Sequence, residues 1–340
     1  LVTRREFLKG ASVVVLGSIV GNAVGEVVPV LAEEKKEVPH LPWPYEELDP
    51  EYVRKLGHLG YYAFECAGGS YWAIMEALRE KIGFPYTLLP IPTKEEVEAA
   101  VEKHEELHQI PMQYGAGGVA GWASLCGGLN GSISAITMAS KNYKTIAKML
   151  LRWYEITPFP SDKSNEYASK HEFFVKKYKS DKVLPQSVSH SVLCHVSVGK
   201  WCEVSGYASG SPERSERCAR LTGDSAARAV ELLNADLRGE LKSVGTIPLS
   251  QFTADCRTCH YKGKNYEGGQ FTRGLMQCES CHQDMRPHAS TVLRLSPQGL
   301  STDPEDKGRL DTLLGGAGLA AAAGVVGGIW SYSKSKSEKD

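Results

Sequence analysis

The chain has almost no net charge: 39 Lys and Arg stand against 40 Asp and Glu, a formal −1 at pH 7. That balance removes the electrostatic case for nucleic-acid binding, which needs clustered, unneutralised cations. Residues 163–182 are lysine-rich, but Glu166, Glu172 and Asp181 are interleaved and Asp162 precedes them, so the stretch reads as a solvated surface. Alternating apolar and polar runs are scarce, which argues against a sheet-built core. No acid, base or nucleophile constellation stands out, so nothing points to a substrate-converting site.

What is there is cysteine in a particular spacing. Cys256-Arg-Thr-Cys259-His260 and Cys278-Glu-Ser-Cys281-His282 each carry the pattern that fastens haem c to a chain. Two thiols reach the two vinyl groups of one porphyrin while the adjacent imidazole ligates the iron, so two haems c are expected, with His260 and His282 as proximal ligands. A four-thiolate zinc site fits the spacing of the two pairs as well, and a zinc-binding structural module is the rival reading. Zinc does not require the histidine that follows each pair.

Both ends of the chain point to export. Thr3-Arg4-Arg5-Glu6-Phe7-Leu8-Lys9 with a weakly apolar run after it reads as a twin-arginine signal over residues 1–32. Leu313 to Tyr332 is free of charge and long enough to span a hydrocarbon core of about 30 Å. Lys334, Lys336 and Lys339 follow it, so residues 312–333 are expected to anchor the chain in the cell membrane. The tail at 334–340 would lie in the cytoplasm and the haem-bearing part on the periplasmic or extracytoplasmic side.

Between the ends the pattern is mainly α. Thr93-Lys94-Glu95-Glu96 is a capping box that opens a helix running to His108, before Pro111. Ile146, Met149, Leu150 and Trp153 predict an amphipathic helix over 141–154, and another is expected from about Asp224 to Leu237. The run Gly115 to Gly121 matches a dinucleotide-binding pattern, yet no buried strand precedes it. A small-residue helix from Gly118 to Met138 is the better reading. The expected fold is a helical domain over 33–245, a small irregular dihaem segment over 246–295, a linker over 296–311, and the C-terminal transmembrane helix. The dihaem segment lacks apolar periodicity and is expected to order only with its haems attached.

Of nine cysteines, the two motifs use four and leave Cys66, Cys126, Cys194, Cys202 and Cys218. An odd remainder argues against a simple disulfide set, and four thiolates suit a [2Fe-2S] or other iron–sulfur cluster. Twin-arginine export agrees, since that route carries proteins folded around a cofactor inserted before export. Buried free thiols with one or two disulfides are the alternative. The distal haem ligands are sought among His40, His58, His104, His108, His171, His190, His195 and His288; His195 beside Cys194, His108 at i+4 from His104, and His288 after the second motif are the favoured ones, with Met285 a sulfur alternative.

Phe64-Glu65-Cys66-Ala67, Leu125-Cys126-Gly127-Gly128-Leu129-Asn130-Gly131 and the later Cys194, Cys202 and Cys218 resemble the C_GCAxxG_C_C redox-active family, with Cys66 and Cys126 matching its first and central cysteines. With two haem motifs added, residues 39–288 resemble the split-Soret cytochromes c. The resemblance implies a homodimer, two closely stacked bis-histidine haems per subunit, a ligand given across the dimer interface, and an iron–sulfur centre. The function expected is electron transfer with redox proteins or the membrane quinone pool, and no nucleic acid. A haem-dependent oxidoreductase with an open iron position is the alternative of another class.

Overall fold

The computed structural model describes residues 37–263 and 272–282. The signal, linker, anchor and tail expected at 1–32 and 296–340, and His288 and Met285, lie outside the described residues. Among those described, no helix is long and apolar enough to cross a membrane.

The architecture is mainly helical. Helices α1 (Pro50–Ile82), α2 (Lys94–Lys103), α3 (Gly127–Ala139), α4 (Tyr143–Ile156), α5 (Asp162–Ser169), α6 (Cys194–Ser205), α7 (Pro212–Leu237), α8 (Leu241–Val244) and α9 (Gln251–Cys256) follow in order. The only sheet among the described residues is a two-residue antiparallel pair, β1 (Pro158–Phe159) with β2 (Ser187–Val188).

Local chemistry sets the helix starts. Asp49 caps α1 by accepting from Glu51 N at 2.9 Å, and Pro50 occupies the first turn, where its missing N–H costs nothing. The Thr93 capping box of α2 closes in both directions, at 3.2 and 2.7 Å. Ser211 and Pro212 start α7 in the same way.

Helices α1 and α7 form the central packed pair, with α3 against both. They can approach because Gly57 faces Gly223: a Cβ on Gly57 would stand 2.8 Å from the Gly223 Cα. Around that crossing, Val53, Leu56, Trp72, Ile74, Leu78, Ala226, Val230 and Leu233 are buried in one core. Burial of each large side chain contributes roughly 1.5–3 kcal/mol. Polar groups are buried beside them with partners. Glu216 binds His58, Arg220 and Tyr62, and Asp224 accepts from Arg54, Ser161 and Ser164.

Several expected boundaries move. Helix α2 stops at Lys103, and His104 turns left-handed (φ 58, ψ 37) as its cap. The left-handed turn at His104 ends the helix, so His104 and His108 do not share a helix face, and His108 is exposed in coil. The helix expected from Gly118 starts only at Gly127. Gly117, Gly118, Val119, Ala120, Gly121 and Ala123 all have positive φ, and a compact loop closed by backbone bonds takes their place. Helix α7 begins twelve residues before the expected Asp224, because its first turns bury Glu216, Arg217 and Arg220 through polar contacts that a hydrophobic period does not register.

The described residues from Pro39 on form one compact unit, the described part of the dihaem segment included. In the described part of that segment only Thr253 and Gln277 are buried, and both are polar.

Candidate redox site

Four of the five cysteines outside the haem motifs come together. Their meeting follows from where three helices begin. Cys126 is the N-cap of α3, and Cys194 is the first residue of α6. Leu125 and Leu193 pair as an antiparallel bridge, with Cys126 N donating to Val192 O at 2.9 Å and Cys194 N to Ser124 O at 2.6 Å. That pairing sets the two helix starts side by side.

Cys66 arrives through a break in α1. Glu65, just before it, takes φ 60 and ψ −165, a region nearly reserved for glycine that costs about 1–3 kcal/mol. The break makes Cys66 the head of a new helical stretch pressed on the first turn of α3. A Cβ on Gly127 would stand 2.2 Å from the Cys66 Sγ. Cys218, on the second turn of α7, packs into the same group with Tyr61 and Cys66.

Three of these thiols thus sit at helix N-termini, whose partial positive charge favours anions. The Gly117 N–H, from the left-handed loop, donates to Cys66; backbone N–H groups presented by such loops are a common lining of iron–sulfur sites. Against this, burial and the neighbouring thiols push all three upward. Cys66 is raised by burial and then by Cys126 and Cys218, Cys126 by burial, and Cys194 by burial and then Cys126 and Cys218, to about 12. Four thiolates in this space therefore need a cation among them.

Cys202 does not join. It lies eight residues beyond Cys194 on α6, a rise of about 12 Å. No two of the nine cysteines are bonded to one another. Among the described residues no group of His, Cys, Asp and Glu closes tightly enough to grip a single metal ion.

Two side chains without a sequence signal complete this site. The Tyr154 hydroxyl donates to Ser197 Oγ at 2.9 Å and shares a hydrogen bond with the Cys126 thiol. Arg217, 1% exposed, donates to Ser197 Oγ at 2.8 Å and lies 3.9 Å from Cys218 Sγ.

The haem motifs form the second part. Helix α9 ends in Cys256, and in each motif the histidine N–H donates to the first cysteine's carbonyl, at 2.9 Å for His260 and 3.0 Å for His282. Thr253 and Glu279 tie the motifs together: Cys278 N donates to Thr253 Oγ1 at 2.7 Å, which donates to Glu279 Oε2 at 2.7 Å. The Cys256 thiol is in hydrogen-bond contact with Cys278, so the two motifs begin side by side. Cys259 is half-buried and Cys281 exposed.

The end of α4 holds this segment to the helices. Glu155, 2% exposed, accepts from Gln277 N at 3.2 Å and pairs with Arg152, whose Nη2 donates to Leu275 O at 2.9 Å. The Glu155 carbonyl accepts from His190 N at 2.8 Å, and Ser280, inside the second motif, donates to the His190 carbonyl. Among the candidate distal ligands, His195 is exposed on the first turn of α6, its N–H donating to Ala123 O at 3.0 Å, and His108 is exposed in coil. Of the other histidines, His190 is the one whose backbone carbonyl meets the second motif.

A helical module gathering four thiols, joined to a segment with two haem-attachment motifs, defines a redox protein of the cytochrome c class. Residues 95–232 match the family described as "Putative redox-active protein (C_GCAxxG_C_C)". That match takes in Cys126, Cys194, Cys202 and Cys218 but starts after Cys66, so Cys66 joins the site through the fold and not through the matched stretch. The split-Soret cytochrome c of Desulfovibrio desulfuricans is 30% identical over 277 residues, 80% of this chain and 89% of that protein. A solved structure of the split-Soret cytochrome c from strain ATCC 27774, described for a novel iron centre, aligns with TM-score 0.55 at 29% identity, over 71% of this chain and 90% of that one. The chain belongs to the split-Soret cytochrome c family, and its role is electron transfer.

Proposed function

We propose that the protein passes electrons between two haems c and an iron–sulfur centre within one chain. The haems are fastened at Cys256 and Cys259 and at Cys278 and Cys281, with His260 and His282 as proximal ligands. The iron–sulfur centre is held by Cys66, Cys126, Cys194 and Cys218. The observation that carries this is the gathering of four thiols from four different helices, three of them at helix N-termini, in a family whose solved relative is described for an iron centre.

When bound, both groups supply one-electron chemistry tuned by ligands, burial and hydrogen bonding. The residues of this chain hold and insulate them. Gly117 N–H and Tyr154 are poised on Cys66 and Cys126, Gly118 lies against Cys194, and Glu155 with Arg152 seats the second motif. The contact of Cys256 with Cys278 favours two haems close enough to interact, as the family name suggests. His190 is our choice for a distal ligand to a haem, in place of His195 and His108. A homodimer, export by the twin-arginine route, and anchorage at the outer face of the membrane near redox proteins or quinones complete the proposal.

The test is an anaerobic optical spectrum of the full chain with a count of covalent haem, non-haem iron and acid-labile sulfide. Two low-spin haems with iron and sulfide in excess are expected. A chain holding zinc and no haem would refute the reading, and haem without further iron would remove its second centre.

A further inference from the structure

Three arginines are buried to below a tenth of their surface: Arg54, Arg217 and Arg220. Two of them have carboxylates. Arg54 pairs with Asp224 and Glu51, and Arg220 with Glu216. Arg217 has none among the described residues. Its Nη2 donates to Ser197 Oγ, its Nη1 faces Cys218, and its Nε has no partner.

A guanidinium cannot shed its proton to relieve burial, as a lysine or histidine can. An uncompensated buried charge is among the costliest features a fold can carry, so something opposite must neutralise it. The groups facing Arg217 are Cys218, Cys126, the Tyr154 hydroxyl and Ser197. Hydroxyls bring no charge. Thiolates do, and four of them around an iron–sulfur core carry net negative charge in both redox states, with one unit more after reduction.

We propose that Arg217 is the built-in counter-ion of the four-cysteine centre and that its charge raises the centre's reduction potential. The inference rests on the iron–sulfur reading above and goes beyond it by naming the group that sets the potential. Because the reduced centre is the more negative, a fixed cation beside Cys218 and Cys126 favours reduction. The position of that cation is fixed too, since Arg217 Nη2 donates to the buried Ser197 Oγ at 2.8 Å. The haem motifs are docked by a different set, Glu155, Arg152 and His190, so the effect should be confined to one centre.

The experiment is a redox titration of the full chain carrying Arg217→Met, Arg217→Gln or Arg217→Lys. The centre is followed by its paramagnetic signal and the haems by their optical bands. For the two neutral variants the ratio of reduced to oxidised centre at a fixed ambient potential should fall at least tenfold, about 59 mV for a one-electron couple. The haem curves should stay in place, and Arg217→Lys should stay close to the native protein. Retention of the centre at its native potential in Arg217→Met overturns the proposal. So does an equal shift in Arg217→Lys, which would show that shape and not charge matters. A counter-ion is not needed by the iron-free chain, so Arg217→Met should fold without iron at least as well as the native sequence, and failure to do so also overturns the proposal. Should the native chain hold no non-haem iron and sulfide, the iron–sulfur reading fails before any variant is made, and this inference falls with it.

Discussion

Tyr154 and Glu155 are neighbours in the chain, yet each faces a different part of the redox site. The hydroxyl of Tyr154 reaches the Cys126 thiol, and the carboxylate of Glu155 accepts the N–H of Gln277, the residue before Cys278. The loop at 190–194 repeats this division, with His190 against the second haem motif and Cys194 in the thiol group. The last turn of α4 is therefore a short covalent link between the two parts of the redox site.

The first prediction concerns Tyr154. A thiolate at Cys126 can only accept, so when the centre is bound the hydroxyl turns its one proton from Ser197 Oγ to that sulfur. Tyr154→Phe removes that donor and leaves charge and packing nearly intact. The potential of the cysteine centre should fall in the same direction as with Arg217→Met but by less, with the haem curves unmoved, in a potentiometric titration.

The second concerns the clasp at Glu155. Glu155→Ala leaves the Gln277 N–H and the Arg152 guanidinium without their partner, at a cost of about 3–5 kcal/mol for breaking a buried pair. The cost should appear as faster proteolysis within residues 246–282 while the helices stay folded. Burial raises this carboxyl, and Arg152 and the Gln277 N–H only partly oppose it. The folded state therefore holds the proton more tightly than the unfolded one, and Glu155's contribution is full at low pH and falls as pH rises through its folded value. Glu155→Gln should flatten that dependence in denaturant unfolding followed across pH.

The third concerns Glu216. Burial acts to raise its carboxyl, but His58, Arg220 and Tyr62 outweigh that and hold it at about 2. A depressed carboxyl contributes stability that is present above its unfolded value of 4.5 and is lost as pH falls from there toward 2. At 1.36 kcal/mol per unit this is about 3 kcal/mol. Unfolding measured between pH 7 and pH 2 should show that loss, and Glu216→Gln should show most of it already at neutral pH.

The fourth separates the cysteines. Gly127→Ala drives a methyl into the Cys66 sulfur, 2.2 Å from an ideal Cβ, and should lose the non-haem iron with both haems kept. Cys202→Ala should retain the iron in full. Equal losses in Cys202→Ala and Cys194→Ala would contradict the four-thiol assignment.

By itself the sequence determined whatever depends on near neighbours in the chain. The haem-attachment pattern, the capping box at Thr93, the amphipathic face of α4 and the helical class are all written in residues a few positions apart, because local hydrogen bonds and side-chain periodicity carry them. Which cysteines meet was not legible. Cys66, Cys126, Cys194 and Cys218 are separated by tens of residues, and only the kink at Glu65, the Leu125–Leu193 bridge and the Gly57–Gly223 crossing bring them together, while the rise along α6 carries Cys202 away. Arg217 and Tyr154 were silent for the same reason, and nothing in the chain ranked His190 above the other histidines. In the chain these are ordinary residues, and their chemistry comes from burial and from partners that only the packed helices supply.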